Sequence, residues 1–196
     1  MNGTNREVRE RMHDLSLHLL DIVQNSIKAQ ASLVQVFIAS NRTTDQITLT
    51  VVDDGKGMSP DQLALASDPF YTTRTTRSVG LGLPLLKELC EMTGGRLLLE
   101  SQPGQGTRLE ARIGLSSIDR PPLGDLGATW SVILSAAGSD IDFDLQMCSD
   151  DRQRTVQTSE LRQLLDGVPL GEPAVLSWIR DFVAEMQQEI FGGIHK

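Results

Sequence analysis

The sequence predicts an α+β protein. In residues 13–31, one face at helical spacing is formed by Leu15, Leu19, Ile22 and Ser26, and it is apolar apart from the serine. Two runs of β-forming residues follow, LVQVFIA (33–39) and ITLTVVD (47–53), joined by a polar turn. Segments with helical and with strand periodicity continue along the rest of the chain, and this alternation gives the α+β class.

The later elements are assigned from the same two periodicities. Helices are expected at 60–66 and 81–92, and the second is closed by the helix-stop pair Gly94-Gly95. A hairpin surrounds PGQG, with strands at 96–101 and 107–113. Beyond residue 128 we expect three strands and two helices, at 129–134 (TWSVIL), 141–147, 155–157, 159–165 and 173–191.

The composition shifts between these two groups of elements. SSIDRPPLGDLG (116–127) is rich in proline and glycine, which is typical of a linker. The chain is therefore divided into a first domain (1–115), the linker, and a small α+β segment (128–196). This division predicts that a fragment of residues 1–120 folds without the remainder.

Overall charge and composition exclude several function classes. The net charge of -8 and the pI near 4.8 disfavour a nucleic-acid surface and an anionic membrane. Cys90 and Cys148 have neither metal-ligand spacing nor the pattern of a disulfide framework. The polar N-terminus does not resemble a signal peptide, and no apolar run reaches the ~18 residues of a membrane span. These features predict a soluble cytoplasmic protein.

A polar stripe lies on the first helix, formed by His18, Asp21, Asn25 and Lys28. Such a stripe is most often a solvated face, but the other side of this helix is apolar along its length. Asn25 has an oxygen that suits Mg²⁺, Asp21 is able to orient or deprotonate a nucleophile, and Lys28 is able to neutralise phosphate. The stripe is therefore a candidate site for phosphate chemistry.

Two glycine-containing stretches adjoin predicted helix starts. In VVDDGKGMSP (51–60), Asp-Gly favours a hairpin turn, but Ser59-Pro60 and Gln62 instead have the pattern of a helix start. Gly80-Leu81-Gly82-Leu83 opens the next helix, where backbone N–H groups and the helix dipole favour an anion. Glycines before a helix are common, so the second stretch alone leaves a structural role equally open.

Five short motifs occur in one order along the first domain. They are D-x-x-x-N (Asp21, Asn25), D-x-G-x-G (Asp53, Gly55, Gly57), D-P-F-Y-T-T (68–73), G-L-G-L (80–83) and G-x-G-T (Gly104, Gly106, Thr107). Residues 13–114 thereby resemble the ATP-binding domain shared by gyrase, heat-shock chaperone, sensor histidine kinase and mismatch-repair ATPases, most of all the histidine-kinase branch. The resemblance implies a two-layer α/β sandwich, in which helices cover one face of a mixed sheet.

The resemblance also implies a role for each matching position. Asp53 would accept a hydrogen bond from the adenine amino group, and the glycines of its motif would let the backbone pass close to the base. Asp21 and Asn25 would be the catalytic residues, with Mg²⁺ on Asn25. Residues 70–80 would form an ATP lid, in which Arg74 or Arg77 reaches the γ-phosphate. The implied nucleotide-binding positions are Asn25, Lys28, Asp53, Gly55, Gly57, Met58, Phe70, Thr73, Arg77, Gly80, Leu81, Gly82, Leu83 and Thr107.

Three functions are compatible with this resemblance. The first is a protein kinase of histidine-kinase type, or one like the anti-sigma serine kinases, that transfers the γ-phosphate of ATP to a partner protein. The second is an ATPase switch driven by lid closure and dimerisation, and the third is a nucleotide sensor without turnover. Hydrolysing branches place a glutamate at the position of Asp21, and many histidine kinases place an asparagine there. The expected ligands are ATP or ADP with Mg²⁺, the expected partner is an unidentified target protein, and homodimerisation stays open.

The segment after residue 128 has no counterpart in that resemblance. Its last predicted helix places Trp178, Phe182 and Met186 on one stripe, and its alternating acids near residue 142 are typical of a solvated strand face. We interpret the segment as a docking element for a partner or a second copy of the chain. The alternative is that it only completes the core.

Overall fold

The computed structural model describes residues 14–66, 82–138 and 140–193. The helices are α1 (Leu15–Lys28), α2 (Pro60–Ala66), α3 (Gly82–Met92), α4 (Leu126–Ala136), α5 (Thr158–Leu164) and α6 (Pro173–Phe191). The strands are β1 (Leu33–Asn41), β2 (Gln46–Asp53), β3 (Arg96–Gln102), β4 (Gly106–Gly114), β5 (Asp142–Cys148) and β6 (Gln153–Gln157). Apart from one strand discussed below, these elements confirm those predicted from the sequence.

One mixed sheet of six strands contains all of these strands, in the order β3-β4-β2-β1-β5-β6. β1 and β5 run parallel, and the other neighbouring strands run antiparallel. Val36 of β1 stands beside Val51 of β2 and Leu145 of β5, and all three are buried on the face that the helices cover. The α+β class and the mixed, helix-covered sheet are thus confirmed.

The strand predicted at 129–134 is wrong, because TWSVIL lies inside α4. The side chain of Asp125 caps this helix by accepting a hydrogen bond from the Ala128 N–H at 2.8 Å. Trp130 and Ile133 then turn into the core at helical spacing. Tertiary burial thereby overrides the β propensity of these residues.

A close approach of two helices also fixes α4. A Cβ on Gly127 would lie 2.4 Å from the carbonyl oxygen of Arg180 and 3.2 Å from the Cβ of Ala184. Only glycine allows the first turn of α4 to lie this close to the α6 backbone. The glycine that was assigned to the linker is therefore a helix-packing residue.

The connection before α4 is bonded to elements on both sides. The N–H groups of Leu15 and Ser16, at the start of α1, donate to the carbonyls of Pro122 and Leu123 at 3.0 Å each. The side chain of Gln187 on α6 donates to the Gly124 carbonyl at 2.7 Å and accepts from the Leu126 N–H at 3.0 Å. These bonds join the start of α1 to α6 through residues 122–126.

The proposed division at 116–127 stays a prediction, but the sheet continues across it. The parallel pairing of β5 with β1 contributes Phe143, Leu145 and Met147 to the same core as the first domain. The C-terminal segment thus contributes to the core. This contribution agrees with the alternative stated above, in which the segment completes the core.

We predict that a fragment of residues 1–120 does not reach a fixed tertiary structure, contrary to the expectation from the linker composition. The truncation removes three buried side chains of β5 and leaves the edge of β1 without its parallel partner. Near-ultraviolet circular dichroism and amide NMR dispersion, compared with the full chain, measure this. A cooperative urea transition with native-like dispersion in the fragment would contradict it.

Candidate functional site

Asp53 ends β2 and is buried, with 8% of its surface exposed. Its Oδ2 accepts a hydrogen bond from the Ser26 hydroxyl of α1 at 2.7 Å, and its Oδ1 accepts from the Gly55 N–H at 3.0 Å. Thr107 of β4 stands opposite Asp53 in the sheet register. The structure therefore brings together the two residues that the resemblance places near adenine.

The glycines of this motif make room for protein backbone. Gly57 has a φ of +64°, and a Cβ there would lie 1.9 Å from the carbonyl oxygen of Gln102. A Cβ on Gly55 would lie 2.8 Å from the carbonyl oxygen of Ala29. A side chain at either position would displace the loop from the β3–β4 hairpin or from the end of α1. Their need for glycine thus has a cause inside the protein, beside any approach to a base.

The loop after β2 is also held by a serine that the sequence analysis did not select. The Ser101 hydroxyl accepts from the Met58 N–H at 2.9 Å and lies 2.8 Å from the Gly106 carbonyl oxygen, to which it donates. Its oxygen also lies 3.0 Å from the Thr107 hydroxyl oxygen. Ser101 therefore positions Met58 and Thr107, two of the predicted nucleotide contacts.

An open cavity of about 500 Å³ adjoins this hairpin. Its lining includes the carboxylate-bearing Asp53, Leu63 of α2, and the hairpin residues Ser101, Gly106 and Thr107. The lining is mainly polar, with a few apolar side chains such as Leu63 and Leu99.

The polar stripe of α1 is partly buried. His18 is 4% exposed, and its Nδ1 has no hydrogen-bond partner within residues 14–66, 82–138 and 140–193. Burial lowers the pKa of His18 to about 4, against an opposing effect of Asp14. The imidazole is therefore neutral at pH 7.

Asp21 lies against the start of α3. Its Oδ2 is buried and has no hydrogen-bond partner among the described residues, and a Cβ on Gly82 would lie only 1.8 Å from that oxygen. Burial raises the pKa of Asp21, and the charge of Lys28 partly opposes this effect. The structure thus joins two motifs that are far apart in the sequence, through a contact that only glycine permits.

Of the other predicted phosphate-site residues, some are described by the structure and some are not. Asn25 is half-buried and Lys28 is exposed on α1, and within the described ranges neither side chain has an assigned hydrogen bond or ion pair. Leu83 lies in the core at the start of α3. The remaining predicted positions, Phe70, Thr73, Arg74, Arg77, Gly80 and Leu81, lie outside the described residues.

The donor set on α1 fits a hard cation. Mg²⁺ takes oxygen ligands and keeps several waters, so it needs only one or two protein oxygens. The half-buried Asn25 amide offers one, and the Asp21 Oδ2 is an orphaned carboxylate oxygen one turn away. Asn25 would thus hold the ion, which would neutralise charge on bound phosphates.

Comparison with protein families identifies the class. The model of the family described as histidine kinase-, DNA gyrase B-, and HSP90-like ATPase matches residues 12–117, more than half of the chain. The chain belongs to this family, whose domains bind ATP, generally with Mg²⁺. Within the family it is an ATP-binding domain of histidine-kinase type, homologous to sensor histidine kinases.

Curated relatives include a sensor protein and two kinases. The alginate biosynthesis sensor protein KinB of Pseudomonas aeruginosa is 33% identical over 45% of this chain and 15% of its own length. Sensor histidine kinase ZraS of Salmonella typhimurium is 31% identical over 54% of this chain and 23% of its own length. Sporulation kinase C of Bacillus subtilis is 31% identical over 50% of this chain and 23% of its own length. The matched part thus spans less than a quarter of each relative.

Two solved structures are similar in part. The N-terminal domain of a DNA repair protein aligns with a TM-score of 0.47 and 18% identity, over 73% of this chain and 51% of that one. The histidine kinase domain of the Erythrobacter litoralis EL346 blue-light activated histidine kinase aligns with a TM-score of 0.31 and 26% identity, over 44% and 34%. Among the helices of the described residues, none is long and apolar enough to cross a membrane.

Sequence reasoning missed the two serines that orient the site. Ser26 was assigned to the apolar face of the first helix, and Ser101 to a hairpin strand. The available signal was a polar residue on a helix face that is otherwise apolar, because a buried hydroxyl needs a partner. The partner, Asp53, lies 27 positions away and was not identifiable from helix periodicity.

We predict that Gly82→Ala destabilises the protein by about 1–3 kcal/mol, the usual cost of overpacking. The added Cβ meets the Asp21 carboxylate, whose Oδ2 and Cγ would lie 1.8 and 2.7 Å away. Asp21→Ala should relieve most of this cost, because the Asp21 Cβ is 3.3 Å from the added atom. Urea unfolding of both single variants and the double variant measures the coupling. Additive effects would contradict the contact.

Proposed function

We propose that this protein binds Mg-ATP and transfers the γ-phosphoryl group to a side chain of a partner protein. The observation that carries the proposal is the buried Asp53 carboxylate, fixed by Ser26 and Gly55 beside Thr107. A carboxylate held in one orientation at the edge of a cavity is suited to a single donor of a flat base. The family and its kinase relatives support the same ligand.

Positioning is the main task of this chain in such a transfer. Asp53 would accept from the adenine amino group, and Thr107 would lie beside the base. Asn25 and Lys28, on one stripe of α1, would face the phosphates. The residues that open α3 would offer backbone N–H groups to them, with Arg77 as a candidate contact of the γ-phosphate.

Asp21 is the candidate proton acceptor. Its buried Oδ2 has no hydrogen-bond partner in the part of the chain that the structure describes, and burial makes this carboxylate more basic than an exposed one. The hydroxyl or imidazole of a target side chain would be its partner in phosphoryl transfer. A water molecule in the same place would give hydrolysis, so the same observation favours an ATPase switch as a second candidate.

Labelled ATP separates these functions. Incubation with γ-labelled ATP, with and without a lysate of the source organism, gives label on a second protein for a kinase. Free phosphate from the purified protein indicates an ATPase. Bound nucleotide with neither product indicates a sensor, which would overturn the proposed transfer while leaving nucleotide binding in place.

We expect Asp53→Asn to weaken ADP binding about 5- to 150-fold, corresponding to ~1–3 kcal/mol for an unmet buried polar group. The amide removes one acceptor and presents a donor toward the adenine amino group or the Ser26 hydroxyl. Isothermal titration calorimetry measures the affinity. Asp54→Asn is the matched control, because Asp54 is exposed and bonds Ser32 and Leu33 instead. Equal affinities of wild type and Asp53→Asn would contradict the adenine assignment.

The turnover rate should depend on pH through Asp21. Only the ionised carboxylate accepts a proton, and burial raises its pKa. Activity should therefore fall on acidification at a pH above the ordinary range of aspartate. Asp21→Asn should retain nucleotide binding but lose the activity and with it this pH dependence. A variant with the wild-type pH profile would remove Asp21 from the chemistry.

A further inference from the structure

A stacked pair of aromatic rings lies on the outside of α6. The ring centroids of Trp178 and Phe182 are 5.4 Å apart, with 15° between the planes. Trp178 is 51% exposed, whereas the chain's other tryptophan, Trp130, is 1% exposed. An ordered but half-exposed tryptophan on a helix surface is the residue type that most often anchors a partner.

A neighbouring site on the same helix holds an arginine of the chain itself. The Arg154 guanidinium of β6 lies 5.8 Å from the centroid of Phe182 and also pairs with the Glu189 carboxylate. Phe182 offers the negative face of its ring, and Glu189, seven residues later on the same helix stripe, offers the countercharge. An aromatic ring and a glutamate at this spacing thus hold one arginine.

The same spacing recurs one turn earlier on α6. Trp178 is followed seven residues later by Glu185, which is exposed on the same stripe. Arg180 pairs with Asp181 at 2.9 Å, and within 14–66, 82–138 and 140–193 no cation pairs with Glu185. Trp178 and Glu185 therefore form a second aromatic–carboxylate pair, for which the described residues provide no cation.

The segment around α6 has a negative net charge. Residues 116–193 contain thirteen aspartates and glutamates and five arginines. The net charge of this segment is therefore -8, the same as that of the whole chain. The rest of the chain is neutral in sum. The field around α6 therefore attracts basic partners and opposes a second copy of the same segment.

We propose that Trp178 and Glu185 dock an arginine of a basic segment in a partner protein. The guanidinium lies over the indole and pairs with the Glu185 carboxylate, as Arg154 does with Phe182 and Glu189. This inference does not rest on the proposed nucleotide chemistry, because the surface lies on α6 and includes no residue assigned to ATP.

The test uses the full chain and a synthetic peptide that contains several arginines, two leucines and otherwise glycine and serine. A peptide with glutamine at each arginine position is its control. With 5-fluorotryptophan incorporated, the arginine peptide should shift the ¹⁹F resonance of Trp178 and leave that of the buried Trp130 in place. The glutamine peptide should shift neither resonance.

Variants then locate the contact by calorimetry. Trp178→Leu and Glu185→Gln should each weaken binding of the arginine peptide about 3- to 10-fold, as expected for a cation–π contact with a paired charge. Glu172→Gln removes the same charge from an exposed position next to the start of α6 and should leave the affinity near wild type. Trp178→Phe should retain most of the affinity.

Three outcomes would overturn the proposal. No shift of the Trp178 resonance at millimolar peptide would show that the surface does not bind arginine. An equal loss in Glu172→Gln and Glu185→Gln would show general charge attraction. Self-association of the peptide-free protein that Trp178→Leu abolishes would show that a second copy occupies the surface.

Discussion

The hydrogen bond from Ser26 to Asp53 fixes how α1 sits on the sheet. Ser26 occupies a core-facing position of the helix, so its hydroxyl needs a partner, and the buried Asp53 at the end of β2 accepts from it at 2.7 Å. With the helix rotation fixed there, Asp21 is held against the start of α3, and Asn25 follows one turn later on α1. One polar contact in the core thus relates the residue assigned to adenine to those assigned to phosphate.

Close approaches that require glycine give the rest of the site its shape. An added Cβ would lie 1.9 Å from the Gln102 carbonyl oxygen at Gly57 and 1.9 Å from the Asp53 carbonyl oxygen at Gly106. At Gly82 it would lie 1.8 Å from the Asp21 Oδ2. A methyl group at any of them would separate the loop, the hairpin or α3 from the rest of the site. The geometry of the candidate site is therefore set by contacts within the chain and does not need a ligand, as expected for a preorganised site.

Periodicity was sufficient to predict the first domain because its strands alternate cleanly and its helices carry single apolar faces. It failed at TWSVIL, where β-branched and aromatic residues lie in α4, because Asp125 caps a helix and Gly127 permits contact with α6. The linker at 116–127 was predicted from composition instead, and residues 122–126 within it are bonded to α1 and α6. For the candidate site, motif order selected Asp53, Thr107 and Asp21 as candidates, but the distances between them depend on β2–β4 register and helix packing, which no local pattern contains.

The C-terminal segment stabilises the nucleotide-binding half and carries a surface of its own. Its β5 lies beside β1, and Gln187 of α6 bonds the residues that in turn bond the start of α1. The helix with the exposed Trp178 is thus connected by hydrogen bonds to the helix with Asp21 and Asn25. A partner bound to the outer flank of α6 would then occupy a site separate from ATP but share one core with it. In the proposed arrangement the acidic segment would supply recognition of a partner, and the neutral half would bind the nucleotide.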